Sequence, residues 1–143
     1  MTDRPETGPT AVVARINKAT CEHDLDALAA CFTSDYQSVW PIHPARSFGG
    51  AEQVRRNWEQ IFAAVPDLRT EVLNSVVSGD EVWSEWEFKG TRRDGRPFLM
   101  RGVVILRVPA DQATLARFYL EPVDPTTDDV DAAVRRLTGE ARP

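Results

Sequence analysis

Residues 79–108, GDEVWSEWEFKGTRRDGRPFLMRGVVILRV, constrain the fold more than any other stretch of the chain. Two runs of alternating apolar and polar side chains flank a charged turn at Asp94-Gly95. Successive side chains of a strand point to opposite faces, so Val82, Ser84, Trp86 and Phe88 share one face. Trp83, Glu85, Glu87 and Lys89 share the other. Asp and Gly tolerate the positive φ that tight hairpin turns demand. An antiparallel hairpin with one strongly apolar face follows, and such a face must be covered by another layer.

The neighbouring sequence supplies that layer. Leu68 to Ser78 alternates like a strand and reverses at Gly79-Asp80 into Glu81 to Lys89. Phe98 to Val108 is the next long strand, Pro109 to Gln112 a turn, and Ala113 to Glu121 the last strand. Before Pro66 the period is helical. Thr10 is a candidate N-cap for a helix carrying Val12, Val13, Ile16, Ala19 and Thr20, ending near Glu22-His23. Asp24 can cap a second short helix whose apolar face is Leu25, Leu28, Ala29 and Phe32. Tyr36 to Trp40 reads as a short strand stopped by Pro41, and PIHPARSFGG reads as loop. A third helix from about Ala51 carries the stripe Val54, Trp58, Ile61 and Phe62, and Pro66 ends it. Asp128 to Leu137 predicts a closing helix with Gly139 at its C-terminus. Helices followed by sequential antiparallel strands make an α+β domain over residues 10–139, with flexible tails at 1–9 and 140–143.

A chain of 143 residues suits one domain with a real core. Its net charge is −5, and arginines such as Arg55, Arg56, Arg92, Arg93, Arg135 and Arg136 are scattered. Nucleic-acid binding needs concentrated positive charge, so no nucleic-acid partner is expected. No apolar run reaches the roughly 18 residues that cross a bilayer, so no membrane partner is expected either. The polar start MTDRPETGPT has no apolar signal segment, which predicts a cytoplasmic protein. Cys21 and Cys31 read as reduced thiols among apolar helix positions, with a disulfide between adjacent helices as the alternative. Neither they nor His23 and His43 have zinc-like spacing, so no metal is expected.

The order and content of these pieces resemble the SnoaL-like branch of the NTF2-like superfamily, which includes ketosteroid isomerases, limonene-epoxide hydrolases and polyketide cyclases. The matching stretches are NKATCEHDLDALAACFTSDY, GGAEQVRRNWEQIF, VWSEWEFKGTRRDG, RGVVILRV, ARFYLEPV and the terminal DAAVRRLTG. The resemblance implies a cone-shaped fold: a curved, mainly antiparallel sheet packed by three N-terminal helices around an apolar cavity. One such scaffold carries many activities, so chemistry must be read from positions. Where ketosteroid isomerases hold a tyrosine and two acids, the registration places Ile16, Trp40 and Val104. Enolising a ketone needs a base and a donating acid, which these side chains cannot supply. Where limonene-epoxide hydrolases hold charges stand Trp86, Phe88 and Phe118. The polyketide cyclases' aspartate near the end of the last strand corresponds approximately to Glu121.

The resemblance also turns Trp40, Trp86, Phe88, Met100, Val104 and Phe118 towards the hollow. Two readings stand: a filled core under the helices, or an aromatic wall for a flat apolar ligand. Glu121 and His43 are the candidate catalytic acid/base groups, because imidazole titrates near neutral pH and His43 lies in the loop by the expected cavity mouth. His23 reads as a capping residue, Tyr119 as outward-facing and Trp58 as packing over the sheet; Tyr36 has a hydroxyl able to orient a ligand oxygen. On the outer face, Glu85 and Glu87 are expected to pair with Arg101, Arg107 or Arg117 and, with Trp83, to form a homodimer contact. The functional expectation is a cofactor-independent cyclase- or isomerase-like enzyme acting on an apolar, oxygenated, polyketide- or terpenoid-like molecule. A non-catalytic binding protein and a homodimer with a filled cavity are the alternatives.

Overall fold

The computed structural model describes residues 8–140; of the expected tails at 1–9 and 140–143, residues 1–7 and 141–143 lie outside them. Helix α1 (Pro9–Glu22) is followed by α2 (Leu25–Ala29), β1 (Phe32–Val39), a single 3-10 turn (Pro44–Arg46), β2 (Phe48–Gly49) and α3 (Ala51–Ala64). The strands β3 (Arg69–Ser78), β4 (Glu81–Thr91), β5 (Pro97–Arg107) and β6 (Ala113–Pro122) then run as a meander before α4 (Val130–Leu137). The sheet order is β2-β1-β6-β5-β4-β3. All neighbours are antiparallel except β1 and β6, which run parallel. The fold is the expected α+β one, a curved sheet packed by helices, with one parallel pair that local periodicity could not reveal.

Three local expectations need correction. Thr10 does not cap α1: Gly8 holds the N-cap position without a side-chain bond, and Pro9 begins the helix, where its missing N–H leaves no bond unmade. Phe32 does not extend α2, which stops at Ala29, but opens β1 instead. The PIHPARSFGG stretch is not all loop, because Phe48-Gly49 pairs antiparallel with Ser38 and Gln37. Gly50 then turns with φ 93, donating its N–H to the Tyr36 carbonyl at 2.7 Å.

Asp24 caps α2 as its position suggests, accepting from Ala27 N at 3.0 Å. His23 ends α1 in the left-handed region (φ 56), stacks on Phe62 and lies 3.0 Å from the Leu68 carbonyl. It ties α1, α3 and the start of β3 together, a capping role. Cys21 and Cys31 are both free thiols. Cys21 Sγ donates to Thr70 O at 3.1 Å, and Thr70 Oγ1 donates to Asn17 Oδ1 at 2.7 Å, so a small polar network binds α1 to β3. Burial pushes the Cys31 thiol up, opposed in part by Arg15. Just before β3, Asp67 accepts the Thr91 N–H at 2.7 Å, and this bond holds its carboxyl below the usual range.

The core gathers between helices and sheet. Val12, Val13 and Ile16 from α1 meet Val82, Trp86, Phe88, Val104 and Leu106 from the sheet's inner face. The alternation read in residues 82–89 holds: Val82, Ser84, Trp86 and Phe88 are buried, while Trp83, Glu85 and Lys89 are exposed. Glu87 keeps to the outer face and is nonetheless buried, with Arg101, one of its expected partners, donating Nε–H to it at 2.7 Å. Glu85 makes no ion pair among the described residues, and Arg107 and Arg117 both turn to Glu81. Gly102 is the cross-strand partner of Trp86 and Leu120. A Cβ there would stand 2.0 Å from the Tyr119 carbonyl oxygen and 2.6 Å from the Leu120 Cα. Only glycine admits so close an approach of two backbones. Helix α4, capped by Asp129, leaves Val130, Val134 and Leu137 exposed and adds nothing to the core.

Candidate functional site

Alternation along β1 turns Tyr36, Ser38 and Trp40 to the inner side, and on β6 it does the same for Ala116, Phe118 and Leu120. Helix α3 lies over them with Val54, Asn57, Trp58 and Ile61 on one stripe, since positions three and four apart share a helix face. These three elements, with Phe88, Phe98 and Met100 from β4 and β5, line a partly open cavity of about 140 Å³. A second void of about 40 Å³ adjoins it, lined by Ile16, Thr20, Leu28, Trp86, Val104 and Leu106. Phe32, Trp58, Phe88 and Phe118 border both.

The residues expected to bound a pocket are therefore divided between two spaces. Trp40, Phe88, Met100 and Phe118 line the larger one. Trp86 and Val104 border only the smaller. Trp86 is fixed there by its Nε1–H, which donates to Ser84 Oγ at 2.8 Å, while Ser84 Oγ donates to Val104 O at 2.7 Å. Trp40 stacks flat on Phe118 with ring centroids 4.7 Å apart, and the Arg46 guanidinium sits 5.6 Å from the Trp40 ring. Trp58 both packs over the sheet, 5.6 Å from Phe88, and lines the cavity.

Polar groups are few: Tyr36, already a candidate from the sequence, is joined by Ser38 and Asn57. The Ser38 hydroxyl is buried and makes no hydrogen bond within the protein. Burial pushes the Tyr36 phenol well above its usual range, an effect that the nearby Ser38 hydroxyl offsets only in part. The two hydroxyls are neighbours, yet their contact falls short of hydrogen-bond geometry, so Ser38 stays unsatisfied. Asn57 receives the Gln53 Nε2–H at 2.8 Å on its Oδ1, which leaves its own Nδ2 donor free among the described residues. The signal for Ser38 was the same alternation that places Tyr36 and Trp40. For Asn57 it was the spacing of three from Val54 and four from Ile61.

His43 and Glu121 come together: His43 Nε2 lies 3.0 Å from Glu121 Oε2, with Arg46 Nη1 at 3.9 Å from the same oxygen. Neither lines the cavity. The β5–β6 register runs without a break to Pro122, so Glu121 stands on the Tyr119 side of β6, opposite Phe118 and Leu120. In sequence, Glu121 follows the cavity residue Leu120 and His43 comes three residues after Trp40. No group of three or more His, Cys, Asp or Glu side chains among the described residues could hold a metal ion.

The sequence profile of the SnoaL-like domain matches residues 12–116. The chain belongs to the SnoaL-like family. Among solved structures, it is similar to IdmH of Streptomyces antibioticus, a proposed polyketide cyclase, with 22% identity, a TM-score of 0.69, and 79% of this chain and 91% of that one covered. It is also similar to AclR of Streptomyces galilaeus, a proposed hydroxylase (17% identity, TM-score 0.69, 91% of each chain). A third is a hypothetical protein of ketosteroid isomerase-like fold from Catenulispora acidiphila, bound to trimethylamine (20% identity, TM-score 0.67, 76% of this chain and 84% of that). No curated protein matches the sequence. In this SnoaL-like domain Ile16, Trp40 and Val104 all border the hollow, and none of them can ionise.

Proposed function

We propose that this SnoaL-like protein takes up a small, apolar, oxygen-bearing molecule in the cavity between β1, β6 and α3. The observation that supports this reading is the lining itself: large apolar side chains interrupted by Tyr36, Ser38 and Asn57 alone. A concave, mostly apolar space with a few convergent polar groups is the usual form of a small-molecule site. Titration with cyclohexanone should give a saturable change in tryptophan emission, since Trp40 and Trp58 both border the space. Val54→Phe, which adds a ring to the buried α3 wall, should abolish it. Undiminished binding in that variant would remove the ligand from this cavity.

A second reading, favoured by the His43–Glu121 contact, is a cofactor-independent conversion of the cyclase or isomerase kind. In it the paired imidazole and carboxylate act as general base and acid on a molecule whose reacting carbon protrudes past Trp40. The cavity supplies pose, and holding a flexible molecule in a reactive shape supplies much of a cyclisation rate. The base would take an α-proton while the electron pair moves onto the carbonyl oxygen. Deuterium exchange into cyclohexanone, followed by NMR, should then exceed the buffer rate and fall about 100-fold in Glu121→Gln. Equal rates in parent and variant would leave binding as the whole function.

We further propose a homodimer formed through the sheet's outer face. Val76 and Trp83 are cross-strand partners there, both exposed, with Tyr119 exposed on the same side. Sedimentation should show about twice the 16.0 kDa chain mass, and Trp83→Glu should shift it to the monomer. A 16.0 kDa species in the parent protein at micromolar concentration would rule the contact out.

A further inference from the structure

Resting on the reading of the cavity as a ligand site, we infer its ligand class: an uncharged molecule of one six-membered ring carrying a hydroxyl or carbonyl oxygen, with that oxygen at the Tyr36–Ser38 corner. Size comes first. The cavity measures about 140 Å³, and an apolar protein cavity of about 150 Å³ holds one benzene molecule. The adjoining 40 Å³ beyond Phe88 and Phe118 cannot take a second ring. Trp86, which borders that smaller space, is held by its bond to Ser84 at 2.8 Å.

Charge comes second. No ionisable acid or base with ordinary titration near neutrality lines the space, and His43 and Glu121 stand outside it. A carboxylate or ammonium ligand would lose its hydration and meet no counter-charge, which disfavours ions strongly. The Trp40–Phe118 stack and the Trp58–Phe88 pair offer ring faces and edges for a flat apolar body.

The oxygen comes third. Ser38 is 1% exposed and its hydroxyl is the one buried side-chain polar atom among the described residues without a partner. An unmet buried hydroxyl lowers stability, and a group that meets it recovers that loss on binding. Tyr36, kept protonated by its burial, is a donor beside it. One ligand oxygen can accept from the phenol and exchange a bond with the serine after a small shift of the wall. An ordered water could use the same two groups, and the variants below separate the two cases.

Calorimetric titration of the whole protein with benzene, phenol, benzoate and 1-naphthol tests each part. Phenol is expected to bind about 10-fold tighter than benzene, the size of one net hydrogen bond. Benzoate and 1-naphthol should bind at least about 10-fold weaker than phenol, through charge and through size. Ser38→Ala should bring phenol to within about 3-fold of benzene while benzene affinity stays. It should melt no lower than the parent, because it removes an unsatisfied group. Tyr36→Phe should reduce the phenol preference in the same direction. Equal binding of phenol and benzene by the parent, or a phenol preference that survives Ser38→Ala, would overturn the oxygen corner and leave the cavity as a ligand site. Naphthol binding as tight as phenol would overturn the one-ring limit. Binding of none of the four would overturn the cavity reading, and this inference with it.

Discussion

Replacing Gly102 by alanine is expected to destabilise the protein by on the order of 3 kcal/mol or more, from backbone strain and forced strand separation together. The added methyl would lie 2.0 Å from the Tyr119 oxygen, and what it meets is backbone, which cannot rotate away. Strands β5 and β6 must part, and Leu120, Phe118 and the cavity wall move with them. Urea unfolding of parent and variant gives the difference. A variant with the parent's midpoint would mean that the strands separate freely and that the close approach contributes nothing to holding β5 against β6.

Trp86→Ala is expected to lower stability by about 3–5 kcal/mol, the range for deleting a large buried aromatic side chain. Trp86 is 3% exposed, packs edge-on against Phe88 and gives its indole N–H to Ser84. The substitution opens a void continuous with the 40 Å³ space and takes from Ser84 the donor that it now accepts from. The melting midpoint should fall by roughly 10 °C. Trp86 also borders the smaller space alone, so phenol affinity of the folded variant should change less than its stability does. A loss of affinity with the parent's melting point would instead make Trp86 a ligand contact.

What the sequence disclosed, and what it hid, follows from the range of each interaction. The strand Glu81–Thr91 was legible because one face is buried along most of its length, so period-two alternation survives in the residues themselves. Phe32 was misread because Leu25, Leu28, Ala29 and Phe32 fit helical spacing; the competing interaction is pairing with Ala113, far along the chain. The short strand at Phe48-Gly49 has no apolar alternation of its own and exists through bonds to β1. Burial of Glu87 depends on Arg101 standing directly across the sheet, which needs the register. The contact between His43 and Glu121 joins a loop to a strand end, a meeting that local sequence carries no sign of. The side of β6 that Glu121 occupies was nonetheless available from alternation, since it keeps step with Tyr119 rather than with Phe118. Ser38 was hidden for a simpler reason: small hydroxyls carry no hydropathy signal, and their lack of a partner appears only once every neighbour is in place.

The parallel pairing of β1 with β6 joins residues some 80 apart along the chain. One strand of the cavity wall, with Tyr36 and Ser38 and followed by Trp40, belongs to the first third of the chain, and the strand beside it, with Phe118 and Leu120, to the last quarter. Cutting the polypeptide anywhere between them leaves two pieces, neither of which owns a pocket. A molecule seated there is gripped by both ends of the chain at once. Its binding free energy therefore counts in full towards keeping those ends together, growing as RT ln(1 + [L]/Kd) with ligand concentration.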